Sequence, residues 1–472
     1  MNECTSSPKR IVIIGGGYVG MYTALGLQRA LKHEIRSGAV AVTVVDPQTT
    51  MTYQPFLPEA AAGNVEPRHV VVPLRPTLRH CRIITGAATA VNHAARTVTV
   101  SPIGGAAYQL NYDILVMAPG SVSRVLPIPG LAEHGIGFKT IGEAIALRNN
   151  VLGRLDFAAS LSGSSGKDTV GSPGRVSAGS PDGDTAGSNE YDAARRRALT
   201  FVFVGGGYAG IEALGELENM ARYATRYTPG VDISDMRWLL VEASDRVMPE
   251  VSMRMSNYTL EQLRERGIDV RLATRLNSVI HGRVELSDGD KFDADTVVWT
   301  AGVKPNPMLG NTDLPLDGKG RIMCDATLAV IGTPGVFAAG DCAAVPDVTK
   351  SDPAALCGPS AQHAVRQAKQ LARNVAAYIR GGNLQQYRHA YAGSVASLGL
   401  YQGVAEIYGV RLRGFPAWWM HRTYHVSKMP TANRKIRIIL DWTGGLLFRR
   451  EVVSLGQLEQ PRIAFEKAAS QG

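Results

Sequence analysis

The stretch "RIVIIGGGYVGMYTALGL", residues 10–27, passes from an unbroken apolar run into three glycines and then into apolar residues at helical spacing. A run that is apolar at every position reads as a strand covered on both faces. Gly15, Gly17 and Gly20 occupy the positions of a G-x-G-x-x-G turn. In that turn the first glycine permits the tight bend, the second lets a pyrophosphate approach the backbone, and the third allows close helix–strand packing. The helix that follows presents unpaired N–H groups and a partial positive charge to an anion.

A single match of this kind is weak, but the pattern recurs. "FVFVGGGYAGIEALGEL", residues 201–217, repeats strand, turn and helix with Gly205, Gly207 and Gly210. Two matches in the same context predict an α/β fold with two Rossmann-like dinucleotide-binding domains. Each domain then needs a carboxylate at the end of its second strand for ribose hydroxyls. "VTVVD" supplies Asp46 and "RWLLVE" supplies Glu242, although a strand-terminal acid is also common without that role. Glu242 would repel a 2′-phosphate and so favours NADH over NADPH; Arg246 nearby works against that preference.

The totals narrow the function. The 472 residues suffice for two or three domains, and 45% hydrophobic with 19% charged residues is an ordinary globular balance. Five scattered cysteines, none in a C-x-x-C pair, argue against a disulfide framework or a zinc module, so no metal site is expected. A reducing, intracellular compartment follows. The N-terminus carries no apolar signal core, and no stretch approaches the ~20 apolar residues of a spanning helix. Contact with a membrane would have to come from the side.

The expected organisation is a first part of an FAD domain over 8–157, a flexible insertion over 158–198, an NAD(H) domain over 199–315, a second FAD part over 316–390, and a C-terminal domain over 391–472. The insertion is Gly/Ser/Asp-rich with almost no large apolar residue, too little to offset its ordering entropy. A helix is expected over about 360–380.

The two turns, "TAG" at 300–302 and "FAAGD" at 337–341 are similar to the two-dinucleotide flavoprotein reductases. That resemblance implies tightly bound FAD on the first turn, exchangeable NADH on the second, and Asp341 on the ribityl chain of the flavin. Ala88, Gly120 and Gly302 complete the residues expected against the cofactors. Asp341 could instead be a helix-capping acid. Within the superfamily, dithiol reductases need two cysteines beside the flavin, and this chain has none at suitable spacing. Sulfide oxidation also relies on cysteines, and the span 82–323 contains none. Cys342 and Cys357 read as small buried packing residues.

"GPSAQHAVRQAKQLARN" resembles the Ala-Gln-x-Ala motif of type II NADH dehydrogenases, with Arg366 where a second glutamine often stands. The resemblance implies that Ala361 and Gln362 sit where quinone meets flavin. The N-terminus of that helix would stabilise the anion of reduced flavin, though Gln362 could be a plain helix residue. Glu212 matches the family's glutamate after the second turn, where it would order the nicotinamide region or assist proton movement. It could equally answer the helix dipole.

The tail departs in composition. Residues 411–450 hold nine Lys/Arg (411, 413, 422, 428, 434, 435, 437, 449 and 450) against one acid, Asp441. That excess nearly matches the whole chain's net charge of +9. On a helix over 415–426, with Pro416 at its first position, Phe415, Trp418, Trp419 and Val426 share one side, and Arg422 among them would snorkel toward lipid phosphate. A second helical segment over 434–450 aligns Ile436, Ile439, Leu440, Thr443 and Leu447, weakened by Gly444 and Gly445. Basic flanks with aromatic and aliphatic faces suit helices lying in an anionic membrane interface. A dimer interface or a lid over the flavin core would use the same stripe. Nucleic acid is not expected, since no base-reading module is visible.

This tail, too, resembles the membrane-docking region of type II NADH dehydrogenases. The resemblance covers about 8–455 apart from the insertion. It implies a respiratory-chain enzyme of electron transport, monotopic on the cytoplasmic face of the cell membrane, a homodimer, with a membrane quinone as acceptor and no proton pumping. The alternatives are a soluble flavoprotein reductase serving a ferredoxin-like protein or oxygen, a sulfide:quinone-type enzyme, or an NADH-sensing flavoprotein that is not an enzyme. If the tail does not dock, the protein is cytoplasmic.

Overall fold

The computed structural model describes residues 7–162, 184–389 and 393–454. They form two compact units, one of residues 7–52, 71–124 and 303–389, the other of 53–70, 125–162, 184–302 and 393–454.

In the first unit, Lys9–Ile14 is the middle one of five parallel strands in a seven-stranded sheet. Val336–Ala338, Ile114–Met117, Lys9–Ile14, Val40–Asp46 and Arg82–Asn92 run parallel in that order. Thr97–Pro102 and Tyr108–Asn111 then extend the sheet antiparallel. Ile11, Val12, Ile13 and Ile14 are all buried, as the unbroken apolar run requires. The helix Tyr18–Ala30 lies against the helix Ala361–Ile379 through small residues. A Cβ added at Gly26 would come within 2.5 Å of the Ala372 Cβ, so the approach depends on glycine there.

The second unit contains a five-stranded parallel sheet ordered Gly135–Gly137, Thr296–Trp299, Thr200–Val204, Arg237–Val241 and Asp269–Arg271. The helix Tyr208–Ala224 follows its central strand and packs on the short helix Leu57–Ala61 and on the strand Gly393–Gly399. Gly215 allows this, since a Cβ there would lie 2.5 Å from the Leu398 carbonyl oxygen. Gly393–Gly399, Gln402–Ile407 and Val410–Arg413 form an antiparallel sheet that carries the helix Gly414–Lys428. The helix Ala432–Leu447 comes next.

These units cut the chain differently from the linear ranges read off the sequence. Residues 53–70 and 125–157 join the second unit, because Leu57–Ala61 packs on Tyr208–Ala224 and Gly135–Gly137 adds an edge strand to the second sheet. The C-terminal segment joins it through Gly393–Gly399. The insertion is also narrower than its composition suggests. The helix Ile141–Ser162 runs into its start and the helix Asp184–Ala198 forms its end, while 163–183 lie outside the described residues.

The tail helices occur where expected, but their orientation corrects one reading. Trp418 is buried, while Phe415 and Trp419 are exposed. Arg422 does not snorkel: it points inward, 2.9 Å from Glu59 Oε2, with its guanidinium over the rings of Trp418 and Trp442. A cation whose carboxylate and aromatic faces are already in the core has no reason to reach for lipid. Pro416 falls in the first turn of a helix that begins at Gly414, where its missing N–H costs nothing. Gly444 and Gly445 lie within the second helix.

Candidate dinucleotide and quinone sites

In the first unit the expected residues gather at the carboxyl ends of parallel strands, where open α/β sheets bind ligands. Gly15 follows Lys9–Ile14 with φ +98°, and a Cβ there would overlap the Ala118 carbonyl at 2.1 Å. Gly20 would meet the Gly15 carbonyl at 1.7 Å, the close packing its position calls for. Gly17 differs, since a Cβ there meets nothing within 4 Å. The helix it opens has no side-chain cap and no acid in its first turn. This is an open cradle at a helix N-terminus without a side-chain cap, and it fits a pyrophosphate.

Asp46 closes Val40–Asp46, and its two oxygens accept the N–H groups of Gly16 and Gln48, both at 2.6 Å. Burial raises its carboxyl above the ordinary value, against the pull of those two N–H donors. Asp341 lies just beyond Val336–Ala338 and accepts the Ser121 hydroxyl at 2.6 Å, beside Gly120 with φ +68°. Ala88 stands apart in character: it lies on Arg82–Asn92 opposite Val100, next to a register shift.

The helix Ala361–Ile379 begins at the motif residues, with Ser360 as its N-cap accepting the His363 N–H at 3.1 Å. Arg366 donates to Gln362 Oε1 at 3.0 Å, so the unusual arginine holds the motif glutamine one turn away. Sequence reasoning missed Gln367, one place further on. Its Oε1 accepts the Gly340 N–H at 2.7 Å and ties this helix to the turn that presents Asp341.

The second unit repeats the construction. Gly205 has φ +116° and abuts Thr300, whose hydroxyl donates to the carbonyls of Val204 and Gly205 at 3.0 and 3.1 Å. Gly210 packs against the Gly205 carbonyl, whereas Gly207 faces open space before another uncapped helix without a first-turn acid. Glu242 accepts the Gly206 N–H at 2.5 Å and the Ser244 N–H at 2.8 Å. Arg246 turns to the Pro249 carbonyl. Gly302, with φ +97°, is exposed past Thr296–Trp299.

Glu212, two residues beyond Gly210, does not face water. It lies 3.1 Å from His421 Nε2 and accepts the Ser397 N–H at 3.1 Å. Glu59, Glu216, His421 and Arg422 form the surroundings of this residue and were not singled out as site residues from sequence. Their only signal was polar residues interrupting otherwise apolar helical faces.

The described cysteines sit where thiolate chemistry is suppressed. Cys324, Cys342 and Cys357 are buried; desolvation pushes Cys342 up to about 12 and Cys357 up to about 11. Among the described residues, no group of three or more potential metal ligands occurs.

A sequence model of the pyridine nucleotide-disulphide oxidoreductase family matches residues 9–368. The chain is 27% identical over 467 residues to the type II NADH:quinone oxidoreductase of Mycobacterium tuberculosis, covering 95% of this chain and 91% of that one. It is 26% identical over 453 residues to a probable NADH dehydrogenase of Dictyostelium discoideum, covering 94% and 91%. Among solved structures, NDH2 from Plasmodium falciparum in complex with NADH superposes with a TM-score of 0.81 at 17% identity, covering 94% of this chain and 99% of that one. With two glycine turns, two strand-terminal acids and a family match over most of its length, the chain belongs to the pyridine nucleotide-disulphide oxidoreductase family.

Proposed function

We propose that this protein is an FAD-dependent NADH:quinone oxidoreductase of type II, acting at a membrane surface. The observation that carries the reading is the pair of open, uncapped helix N-termini at Gly17 and Gly207, in a chain that aligns over nearly its full length with type II enzymes. The Gly15–Gly20 turn, Asp46, Gly120 and Asp341 would hold FAD, with Ala88 bordering it. The Gly205–Gly210 turn, Glu242 and Gly302 would hold NADH. Flavin supplies the two-electron chemistry when bound, accepting a hydride and passing the electron pair on.

The chain's own groups bind and orient. Helix N-termini neutralise the pyrophosphates, and Asp46 and Glu242 fix ribose hydroxyls. Ala361 and Gln362 meet the quinone, Gln362 being held by Arg366. Glu212 serves proton movement.

Docking is proposed through the last helix. Ile436, Ile439, Leu440, Leu446, Leu447 and Phe448 are all exposed, beside Arg434, Lys435, Arg437 and Arg449. No helix among the described residues is long and apolar enough to cross a membrane. An amphipathic helix lying in the interface of an anionic cytoplasmic leaflet fits both facts. The same stripe would otherwise serve a homodimer.

The deciding assay measures NADH and NADPH oxidation against several quinones, with and without anionic vesicles. Quinone turnover that rises with vesicles supports the reading. Turnover only with a soluble protein acceptor or oxygen overturns it. Replacing Ile439, Leu440 and Leu447 together with glutamate should abolish vesicle binding and leave turnover with a soluble quinone intact; a stripe that forms a dimer would instead change the sedimentation of lipid-free protein. In sealed vesicles NADH turnover should build no proton gradient.

A further inference from the structure

The unit that carries the second glycine turn buries three glutamates together: Glu59, Glu212 and Glu216 are 1%, 7% and 0% exposed. Buried carboxylates are strongly unfavourable unless cations or donors face them. Arg422 faces Glu59 at 2.9 Å, and Arg450 lies in the field of Glu216. The other charged groups nearby are committed elsewhere. Arg148, beside Arg450, is answered by Glu66 and Glu451; Glu218 pairs with Arg222 and Arg266; and Asp441 pairs with His69 at 2.6 Å. Three carboxylates therefore meet two guanidinium groups. The remaining basic side chains in the cluster are the imidazoles of His421 and His425.

His421, 2% exposed, places Nε2 3.1 Å from Glu212 Oε1. Ser397 bridges Glu212 to Glu216, its N–H on the first at 3.1 Å and its hydroxyl on the second at 2.8 Å. Asn64 Nδ2 donates to the other Glu216 oxygen at 2.8 Å, and Trp442 Nε1 donates to Glu59 at 2.9 Å. On its far side His421 meets the edge of His425, the ring centroids 4.6 Å apart, and His425 Nδ1 lies 3.4 Å from the Tyr53 hydroxyl. Desolvation opposes the charged form of His421, but the nearby carboxylates of Glu212, Glu59 and Glu216 outweigh it and raise its pKa. Desolvation, aided by His421, drives His425 well below the ordinary imidazole value. His421 thus sits between a carboxylate and a second imidazole, and of the two rings it is the one on which a proton is favoured.

We propose that His421 is a positioning residue that stores the solvent proton consumed in each turnover and presents it to Glu212. The inference rests on the NADH:quinone reading. Oxidising NADH releases two electrons and one proton as a hydride, whereas forming a quinol from a quinone takes two electrons and two protons. One proton per turnover must come from solvent. The N–H bond at His421 Nε2 breaks as an O–H bond forms at Glu212 Oε1, and that O–H bond breaks in turn as the proton passes on to the quinone being reduced. The imidazole is recharged on the side of the half-buried His425, beyond which the Tyr53 hydroxyl is itself buried.

The test compares a short-chain soluble quinone with ferricyanide, a one-electron acceptor that takes up no proton, using the flavin-loaded enzyme. In the unaltered protein the quinone rate should fall as pH rises above the ordinary imidazole value, while the ferricyanide rate stays flat. His421→Gln keeps a donor toward Glu212 but cannot store a proton. Its quinone kcat should drop by about a hundredfold, as loss of a proton-transfer group does. Its alkaline limb should vanish, with KM for NADH and the ferricyanide rate within about twofold of the unaltered protein. Equal losses with both acceptors, or an unchanged quinone pH profile, overturn the inference. If the variant fails to retain flavin, the unaltered protein decides: an alkaline limb shared by both acceptors, or absent with quinone, overturns it. Ferricyanide turnover without any quinone turnover overturns the quinone reading itself.

Discussion

Glu59 and Arg422 meet at 2.9 Å with side chains 1% and 8% exposed, an ion pair closed off from water between the helices Leu57–Ala61 and Gly414–Lys428. Arg422 also lies over the rings of Trp418 and Trp442, 4.1 and 4.8 Å from their centroids. The pair pins the C-terminal helices onto the rest of the second unit. Breaking it from one side leaves a buried charge with no partner. Arg422→Met should destabilise this unit by roughly 3–5 kcal/mol, whereas Glu59→Leu combined with Arg422→Met should recover much of the loss. Urea unfolding followed by tryptophan emission measures both, because Trp418 and Trp442 report from the cluster itself. Equal destabilisation by the single and double variants would show that the ion pair is not the pin.

The two middle glycines separate cofactor binding from folding. A Cβ at Gly17 or Gly207 meets no protein atom within 4 Å, whereas one at Gly15 or Gly205 strikes backbone. Gly207→Val should therefore fold, keep its flavin absorption and lose NADH oxidation by at least about a hundredfold, since the side chain occupies pyrophosphate space. Gly17→Val should fold and lose flavin. Flavin loss from the Gly207 variant instead would reverse the assignment of the two turns.

Much of this was legible because the glycine turns are local devices. Strand, turn and helix lie within about twenty residues, and periodicity reports them directly. The tail helices were legible for the same reason, and the exposed stripe Ile436, Ile439, Leu440 and Leu447 matches its expected spacing. The facing of Arg422 was not. Helical spacing groups Arg422 with Trp418, but only Glu59, more than 350 residues away in the chain, decides that both turn inward. The cluster around Glu212 was hidden likewise. Its members come from Leu57–Ala61, Tyr208–Ala224, Gly393–Gly399 and Gly414–Lys428, and no local pattern joins them. Gln367 carried no local signal, because the contact that defines it, from the Gly340 N–H, lies 27 residues away in the chain.

We propose that Glu242 sets the choice of nicotinamide cofactor. Its carboxylate is held by the Gly206 and Ser244 N–H groups at 2.5 and 2.8 Å, and Arg246 is turned to the Pro249 carbonyl. A fixed carboxylate repels a 2′-phosphate, so NADH should be preferred. Glu242→Gln should raise kcat/KM for NADPH relative to NADH by roughly tenfold, equivalent to about 1.4 kcal/mol of relieved repulsion. Steady-state rates with both cofactors at fixed quinone measure the ratio. An unchanged ratio would assign cofactor choice to another group.

His421 and His425 also bend the stability of the second unit in opposite directions. The folded pKa of His421 is raised by Glu212, Glu59 and Glu216 after desolvation has been overcome, so folding binds its proton more tightly than the unfolded chain does. That contribution is complete below about 6.5, the unfolded imidazole value, and is lost as pH rises through the folded pKa. His425 is lowered by desolvation and by His421, so its protonation favours unfolding and costs stability as pH falls below about 6.5. Stability from this pair should therefore peak near the ordinary imidazole value and decline on both sides. Urea midpoints of the C-terminal tryptophan signal between roughly pH 5 and 8.5 trace the curve, a range chosen to bracket the unperturbed imidazole. His421→Gln should remove the decline on the alkaline side and leave the acidic one; His425→Phe should do the reverse. Loss of both arms in either variant would mean that the two imidazoles titrate as one group and that no separate proton resides on His421.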